Sequence, residues 1–214
     1  MKQLLPVFLF IAVVGVANAQ WVPVTGRVVT TTTTIGPDGS IGPKWTTVSQ
    51  YSRSSSGSVL VQRIGRSGKP AMATLMDYGK TQKVYTLTYS GGQVTDMHRA
   101  LDHDYAAHPP KSMSTAQQKI SLGNDKINGV DCFIVPVFDV GPNRSRVQVG
   151  KAWLAPAFNN LVMREDLTRI SPYGSKRHIV REFKITGQSE PDGSLFSTDR
   201  TVVATHWKQI PTGN

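Results

Sequence analysis

The sequence predicts an α+β, strand-dominated fold built on one antiparallel sheet. Three observations carry this. Short runs rich in β-branched and aromatic residues show the period-2 alternation of a pleated strand. Breaks containing Gly, Pro, Asn and Ser separate them at a spacing of about 8–12 residues. Only residues 93–118 lack that pattern. Some ten or eleven such runs joined by short turns must curl into a barrel, half-barrel or sandwich, because wide twisted sheets do not stay open and flat.

The chain opens with a basic Met1-Lys2-Gln3. An apolar run follows, Leu4 to Val16, interrupted only by Pro6 and Gly15, and then Ala17-Asn18-Ala19. Basic start, apolar core and small-x-small site, in that order, describe a cleavable export signal cut after Ala19. The apolar run is shorter than the ~20 residues that span a bilayer. No cysteine sits at the cleavage point, so a lipid anchor of the bacterial lipoprotein kind is not expected. The expected organisation is a signal peptide, 1–19, and one domain, 20–214, released to the periplasm or secreted.

Trp21 to Thr34 is rich in β-branched residues, Val22, Val24, Val28, Val29 and the run Thr30 to Thr34, which favours strand over helix. Gly36-Pro37-Asp38-Gly39 turns the chain, and Trp45 to Ser54 alternates again. Val59 to Ile64 follows Ser55-Ser56-Gly57-Ser58; Gly65 to Pro70 is the next break, and Ala71 to Tyr78 a short strand. Lys83 to Tyr89 puts Tyr85, Leu87 and Tyr89 on one face and Val84, Thr86 and Thr88 on the other. Val94 to Leu101 reads as a short helix, Asp102 to Met113 as an irregular loop and Thr115 to Ile120 as a helical turn. Strands resume at Lys126. Asn128-Gly129 is a hairpin signal leading into Val130 to Phe138, where Pro136, with no backbone donor, marks an edge or a bulge. Val147 to Leu154 and Leu161 to Leu167 follow. His178 to Thr186 puts Ile179, Phe183 and Ile185 on one face, with Arg181 as the exception. Glu190-Pro191-Asp192-Gly193 turns before Leu195-Phe196, and Thr201 to Thr205 ends the sheet.

Lysine and arginine number 24 against 14 acids, a net charge of +10. Losing residues 1–19 removes Lys2 and no acid, so the mature chain keeps most of that excess. It favours anionic partners such as a membrane surface. Along the sequence the cations are scattered, never forming a block, and the reading taken here is a solvated surface with no nucleic-acid partner. Cys132 is the only cysteine, so no intrachain disulfide exists. Its neighbours Val130, Phe133, Ile134 and Val135 make it a buried core residue rather than a nucleophile.

Three stretches carry a resemblance. Leu122-Gly123 with Ile127-Asn128-Gly129-Val130-Asp131-Cys132-Phe133 comes first. Gly150-Lys151-Ala152-Trp153-Leu154-Ala155-Pro156 and Leu161-Val162-Met163-Arg164-Glu165-Asp166 follow. They resemble exported bacterial proteins of the lipoprotein-carrier-like superfamily, the LolA-type and LolB-type domains. Tyr51 to Gly57 and Glu190 to Phe196 fit the same uncharacterised branch. The resemblance spans roughly residues 22–203, in strand order and turn chemistry. It implies a strongly curved antiparallel sheet, an unclosed half-barrel with one or a few short helices on the concave side. In that family the concave side is apolar and holds acyl chains of a lipoprotein. No residue here matches a functional side chain of the carriers, so the resemblance implies fold rather than activity.

Chemistry-bearing constellations are few. Asp102, His103, Asp104 and His108, with His98 nearby, are potential ligands, but their spacing is no zinc pattern and a solvated polar loop is the default reading. No Gly-x-Ser-x-Gly elbow occurs, Gly65-Arg66-Ser67-Gly68 being a hairpin connection, and no Gly-rich phosphate loop follows a strand. Glu165 and Asp166 are neighbours on a strand and point to opposite faces. No catalytic residue, metal or cofactor is expected. A curled sheet needs either filling side chains or a guest in its hollow. The expected lining is Trp45, Val61, Leu75, Tyr85, Leu87, Trp153, Met163 and Phe183. The reading is an exported, non-enzymatic protein holding a lipid or acylated protein in an apolar concavity. The alternative is an envelope protein-interaction or sensing domain using exposed strand edges. A hydrolase or metal enzyme built on residues 98–108 comes third. Expressed in a bacterium that exports it, the chain should begin at Gln20 by intact mass and N-terminal sequencing, and Ala19→Arg should leave the precursor uncut; a mature chain that keeps Met1 would refute the export signal.

Overall fold

The computed structural model describes residues 21–65, 70–77, 83–90, 93–100, 120–140, 145–171 and 174–197. They form eleven strands: β1 Val24–Ile35, β2 Ile41–Arg53, β3 Val59–Ile64, β4 Pro70–Asp77, β5 Lys83–Ser90, β6 Gln93–Ala100, β7 Gly123–Ile127, β8 Val130–Val140, β9 Arg146–Ala155, β10 Leu161–Ile170 and β11 Lys176–Gly187. All lie in one sheet of order β6-β5-β4-β3-β2-β1-β11-β10-β9-β8-β7. Every pairing is antiparallel. β6 and β7 are the two ends of the order, so the sheet is not closed into a barrel. Two 3-10 turns, Pro156–Phe158 and Gly193–Phe196, complete the described elements.

The sheet is curved, and its core shows why. Val24 of β1, Phe183 of β11, Met163 of β10, Ala155 of β9, Cys132 of β8 and Ile127 of β7 meet in one buried cluster, with Tyr51 of β2 packed against it. Those seven strands are consecutive, six intervals of about 4.8 Å, so a flat sheet would hold Tyr51 and Ile127 roughly 29 Å apart. One shared cluster requires the sheet to bend around it. Phe158, from the short turn between β9 and β10, plugs the same cluster from the concave side.

Register decides what else faces that hollow. Directly opposed residues of an antiparallel pair share a face. Phe183 opposes Val28; Tyr51 opposes Gly26 on one side and Val61 on the other; Trp45 opposes Thr32. A side chain at Gly26 would overlap the Phe183 ring, which lies over the glycine and meets Tyr51 edge-on at 5.2 Å. The next residues along each strand turn the other way. Leu60 opposes Leu75 and Leu75 opposes Tyr85, forming a second cluster with Ala73, covered in part by Leu195 and Phe196 of the last 3-10 turn. Phe133, Val135 and Val137 of β8 with Ala152 and Leu154 of β9 make a third.

Arg53 ties one rim shut. It is buried, yet its guanidinium donates from Nε and Nη2 to the Val22 carbonyl, at 3.1 and 3.0 Å, and from Nη2 to the Phe158 carbonyl at 2.8 Å. It also stacks over the Trp21 ring. Around it Val22 N–H donates to Asn159 Oδ1, and Ser55 N–H donates to the Glu190 carboxylate. The β2–β3 turn, the β9–β10 turn and both flanks of the sheet are joined there.

The turns are where the sequence put them. Gly39 has φ +83°, and Asp38 accepts from Ser40 N–H and Oγ–H. Asn128 and Gly129 take φ of +51° and +81°, the primed geometry of a two-residue hairpin. Asn128 Nδ2 then donates to the Phe183 carbonyl, beyond the last β10–β11 pair. Pro136 meets both expectations: β7 pairs only as far as Ile134, so the missing N–H falls where β8 is an edge, and a bulge follows at Val137–Phe138.

One expectation is corrected. Gln93–Ala100 is strand β6, not the start of a helix over Val94–Leu101. Val94 and Met97 have helical spacing, but eight consecutive pairings with β5, from Ser90–Gln93 to Lys83–Ala100, outweigh so weak a preference. Leu195 and Phe196 likewise lie in a 3-10 turn. Residues 1–19, the loop at 102–113, the turn at 115–119 and Thr201 to Thr205 lie outside the described residues.

Among the described glycines, Gly150 marks the tightest backbone approach. A Cβ there would overlap the Asp166 carbonyl across the β9–β10 pairing, and backbone cannot swing aside as a side-chain tip can. Gly150→Ala should lower stability by roughly 1–3 kcal/mol in urea unfolding, the range of overpacked sites; an unchanged midpoint would show that the strands part freely.

Candidate functional site

The curved face is built from alternation. On β1 the residues Val24, Gly26, Val28, Thr30 and Thr32 face inward, and on β11 Phe183 and Ile185 join them. Arg181, the exception in the β11 pattern, has its reason here: it opposes Glu165 of β10, and the two side chains pair at 2.7 Å. Asp166 turns to the other face, where it meets His178 at 2.8 Å and Arg164 at 3.8 Å. The two neighbouring carboxylates serve separate partners, as their adjacency on a strand requires.

The eight expected lining residues fall into groups. Met163 and Phe183 are buried together in the central cluster, and Trp153 packs half-buried against it. The Trp153 indole N–H donates to Asp125 Oδ2 at 3.0 Å, and the Arg164 guanidinium lies 5.1 Å from its ring centroid. Val61 is half-buried on the Phe183 face, beside Tyr51. Trp45 shares that face but stands 43% exposed near the β1–β2 turn. Leu75 and Tyr85 meet each other on the opposite face, in the second cluster. Leu87 opposes Ala73 on β5; its side chain lies outside the described residues.

The face beside Val61 continues across the sheet. Thr74 opposes Val61 and Thr86 opposes Thr74, while Met76 opposes Val59 on one side and Val84 on the other. Met76 and Val84 are half-buried and Met72 is 37% exposed. These residues were within reach of the sequence pattern, since alternation in β5 already separates Val84 and Thr86 from Tyr85. Leu75 and Tyr85 take the other half of that alternation in β4 and β5. Arg53 had no sequence signal at all: a lone arginine before a serine run resembles a surface residue.

The surface this makes is largely apolar, banded by threonine hydroxyls and carrying the Arg181–Glu165 ion pair, and it leads into a floor of buried side chains. It offers dispersion contact and few hydrogen bonds. Among the described residues no three of His, Cys, Asp and Glu gather as a metal site. His98 lies on β6 opposite Tyr85; its side chain and Asp102, His103, Asp104 and His108 lie outside the described residues.

Solved structures similar to this one include three crystal structures. A LolA superfamily protein from Nitrosomonas europaea shares 11% identity over 86% of this chain and 92% of that one, with a TM-score of 0.38. A DUF1329 family protein from Desulfovibrio piger shares 9% over 82% and 90%, TM-score 0.31. A putative outer membrane lipoprotein-sorting protein domain from Vibrio parahaemolyticus shares 8% over 84% and 92%, TM-score 0.30. No family model and no curated protein matches the sequence.

Cys132 is 3% exposed in the floor of the hollow. Burial pushes its thiol above the ordinary value of 9.0, with Asp125 and Asp131 adding to the shift and a backbone hydrogen bond at Ile127 opposing it. The folded state therefore keeps the proton after the unfolded chain has lost it. The stability this adds is full below pH 9 and falls as pH rises through the folded value. Cys132→Ala should flatten the alkaline loss of stability relative to the parent in urea midpoints at pH 7, 9 and 10. The parent thiol should react with a disulfide reagent at pH 7 only on unfolding; immediate labelling of the native protein would contradict its burial.

Proposed function

We propose that this is an exported, non-enzymatic binding protein that holds an apolar chain, a lipid or the acyl chains of an acylated protein, against the curved face of its sheet. The observation that carries the reading is the run of half-buried apolar side chains, Tyr51, Val61, Met76 and Val84, leading from the buried cluster across β2 to β5. Hydrocarbon laid on such a surface is stabilised by roughly 25 cal/mol per Å² removed from water, with no need for a polar anchor. The expected lining residues Trp45, Val61, Met163 and Phe183 belong to this face, and Trp153 to its floor. Leu75, Tyr85 and Leu87 enter the proposal as support for the strands that form it. Residues 1–19 are proposed as the cleaved export signal and 20–214 as the single working domain. One similar structure carries the words lipoprotein-sorting in its name; the reading rests on the surface of this chain and not on that likeness.

The test is uptake. The mature protein, exported from its own leader, should carry extractable lipid by mass spectrometry or bind a fluorescent fatty acid. Val61→Asp with Val84→Asp, both on the curved face, should weaken uptake about tenfold or more, since each places a charge against hydrocarbon. Val29→Asp, at a 37% exposed position on the other face of β1, should leave it unaltered. Absence of both bound lipid and uptake in a folded sample would remove the proposal.

A further inference from the structure

The two rims of the sheet differ. In an up-and-down sheet every second turn lands on the same rim. Here the strand ends flanking the β1–β2, β3–β4, β5–β6, β8–β9 and β10–β11 connections share one rim, and Arg53, Phe158 and the Asn128 hairpin close the other. Two of the open-rim connections lie near each other: a side chain added at Gly174, between β10 and β11, would reach Pro37, between β1 and β2.

Exposed apolar side chains collect on that open rim. Of the ten large hydrophobic residues exposed among the described residues, six sit beside its turns: Ile41, Trp45, Met72, Phe138, Val147 and Ile170. Ile41 and Ile170 are 79% and 67% exposed. They end one cross-strand row, Ile170–Lys176–Ile35–Ile41, spanning four adjacent strands. The exposed cations Lys44, Arg63, Arg146, Arg169, Lys176 and Arg177 lie beside the same turns. Three acids on the described strands and turns stand there: Asp38, whose carboxylate is occupied by Ser40; Asp139, paired with Arg169 at 3.3 Å; and Asp96, three residues into β6, whose side chain lies outside the described residues.

We propose that this rim docks on the surface of an anionic phospholipid bilayer, with Ile41, Trp45 and Ile170 entering the headgroup region and Lys44, Lys176 and Arg177 meeting lipid phosphates. Exposed isoleucines cost free energy in water and gain it among acyl chains, and a tryptophan ring suits the interface between them. Lysine and arginine near an anionic leaflet each strengthen attachment, and cations flanking the apolar tips supply the charge complementarity that commits the surface to a membrane. Docking in this way stands apart from whether the hollow takes up an acyl chain.

The experiment is co-sedimentation of the mature protein with vesicles. Phosphatidylcholine vesicles containing roughly 30% phosphatidylglycerol should bind it at least tenfold more tightly than pure phosphatidylcholine, and high salt should weaken the difference. Binding should shift tryptophan emission to the blue, and Trp45→Phe should remove most of the shift. Lys176→Glu with Arg177→Glu should cost about tenfold or more, and Ile41→Ser with Ile170→Ser should abolish penetration. The control is Arg27→Glu with Lys184→Glu, an opposed cation pair away from the rim. It alters net charge equally and should retain binding within about threefold. Equal losses from both charge pairs would reduce the effect to diffuse attraction and overturn the assignment, as would no vesicle binding. A serine double variant that changes only sedimentation of the protein alone would make the rim a contact between copies instead. The Val61→Asp, Val84→Asp protein should still dock, so failure of fatty-acid uptake and failure of docking are separable.

Discussion

The buried guanidinium of Arg53 is the interaction on which the shape depends. Its partners are two carbonyls, the Trp21 ring and the Tyr51 hydroxyl, drawn from the segment before β1, from β2 and from the turn between β9 and β10. Burial lowers its affinity for the proton, yet a guanidinium starts so high that it stays charged. A charged donor in a dry rim makes stronger hydrogen bonds than a neutral one, and losing it would leave two carbonyls unsatisfied. Its consequence is geometric. β2 and β9 are four intervals apart in the sheet, about 19 Å if flat, and Arg53 reaches from one to the turn leaving the other. The curl is thus fixed at one rim by a short polar tie and along its length by the apolar cluster.

That arrangement makes the two rims unequal. At the closed rim Phe158, Ile127 and Cys132 fill the space between strands, and every backbone connection seen there is hydrogen-bonded to a neighbour. Away from it the face is lined by Val61, Met76 and Val84 with threonines between them, and burial relaxes from complete to partial. The second cluster lies on the reverse side of β3–β5, so those strands have apolar residues on both faces. Strands stabilised from the reverse side can leave their inner face free for something else.

The legible and illegible parts of the sequence divide along the same line. Alternation set the period of β5, β10 and β11, and the Gly36–Gly39 and Asn128–Gly129 turns were readable because positive φ and a fixed proline φ select a few residue types. Which half of an alternation points inward is a different question. In β3 to β5 both halves are apolar, Leu60, Leu75 and Tyr85 against Val61, Met76 and Val84, so period alone could not assign a side; the register did. β6 was misread because strand pairing is a non-local stabilisation that no window of eight residues contains. Arg53 was invisible for the same reason: its partners are 31 and 105 residues away.

Charge shows the same effect in its purest form. Along the chain the cations never form a block, which reads as a solvated surface. An antiparallel meander, however, returns to one rim only at every second turn. Connections gathered on such a rim are therefore separated in sequence by two strand lengths or more, as those beside Lys44, Arg63, Arg146 and Lys176 are. Scatter in sequence and concentration in space are here the same fact, connected by topology. Block patterns of charge reveal helical faces and disordered tails, whose neighbours are local. For an up-and-down sheet the informative unit is the turn, and the charge and hydropathy of alternate turns are what distinguish one rim from the other.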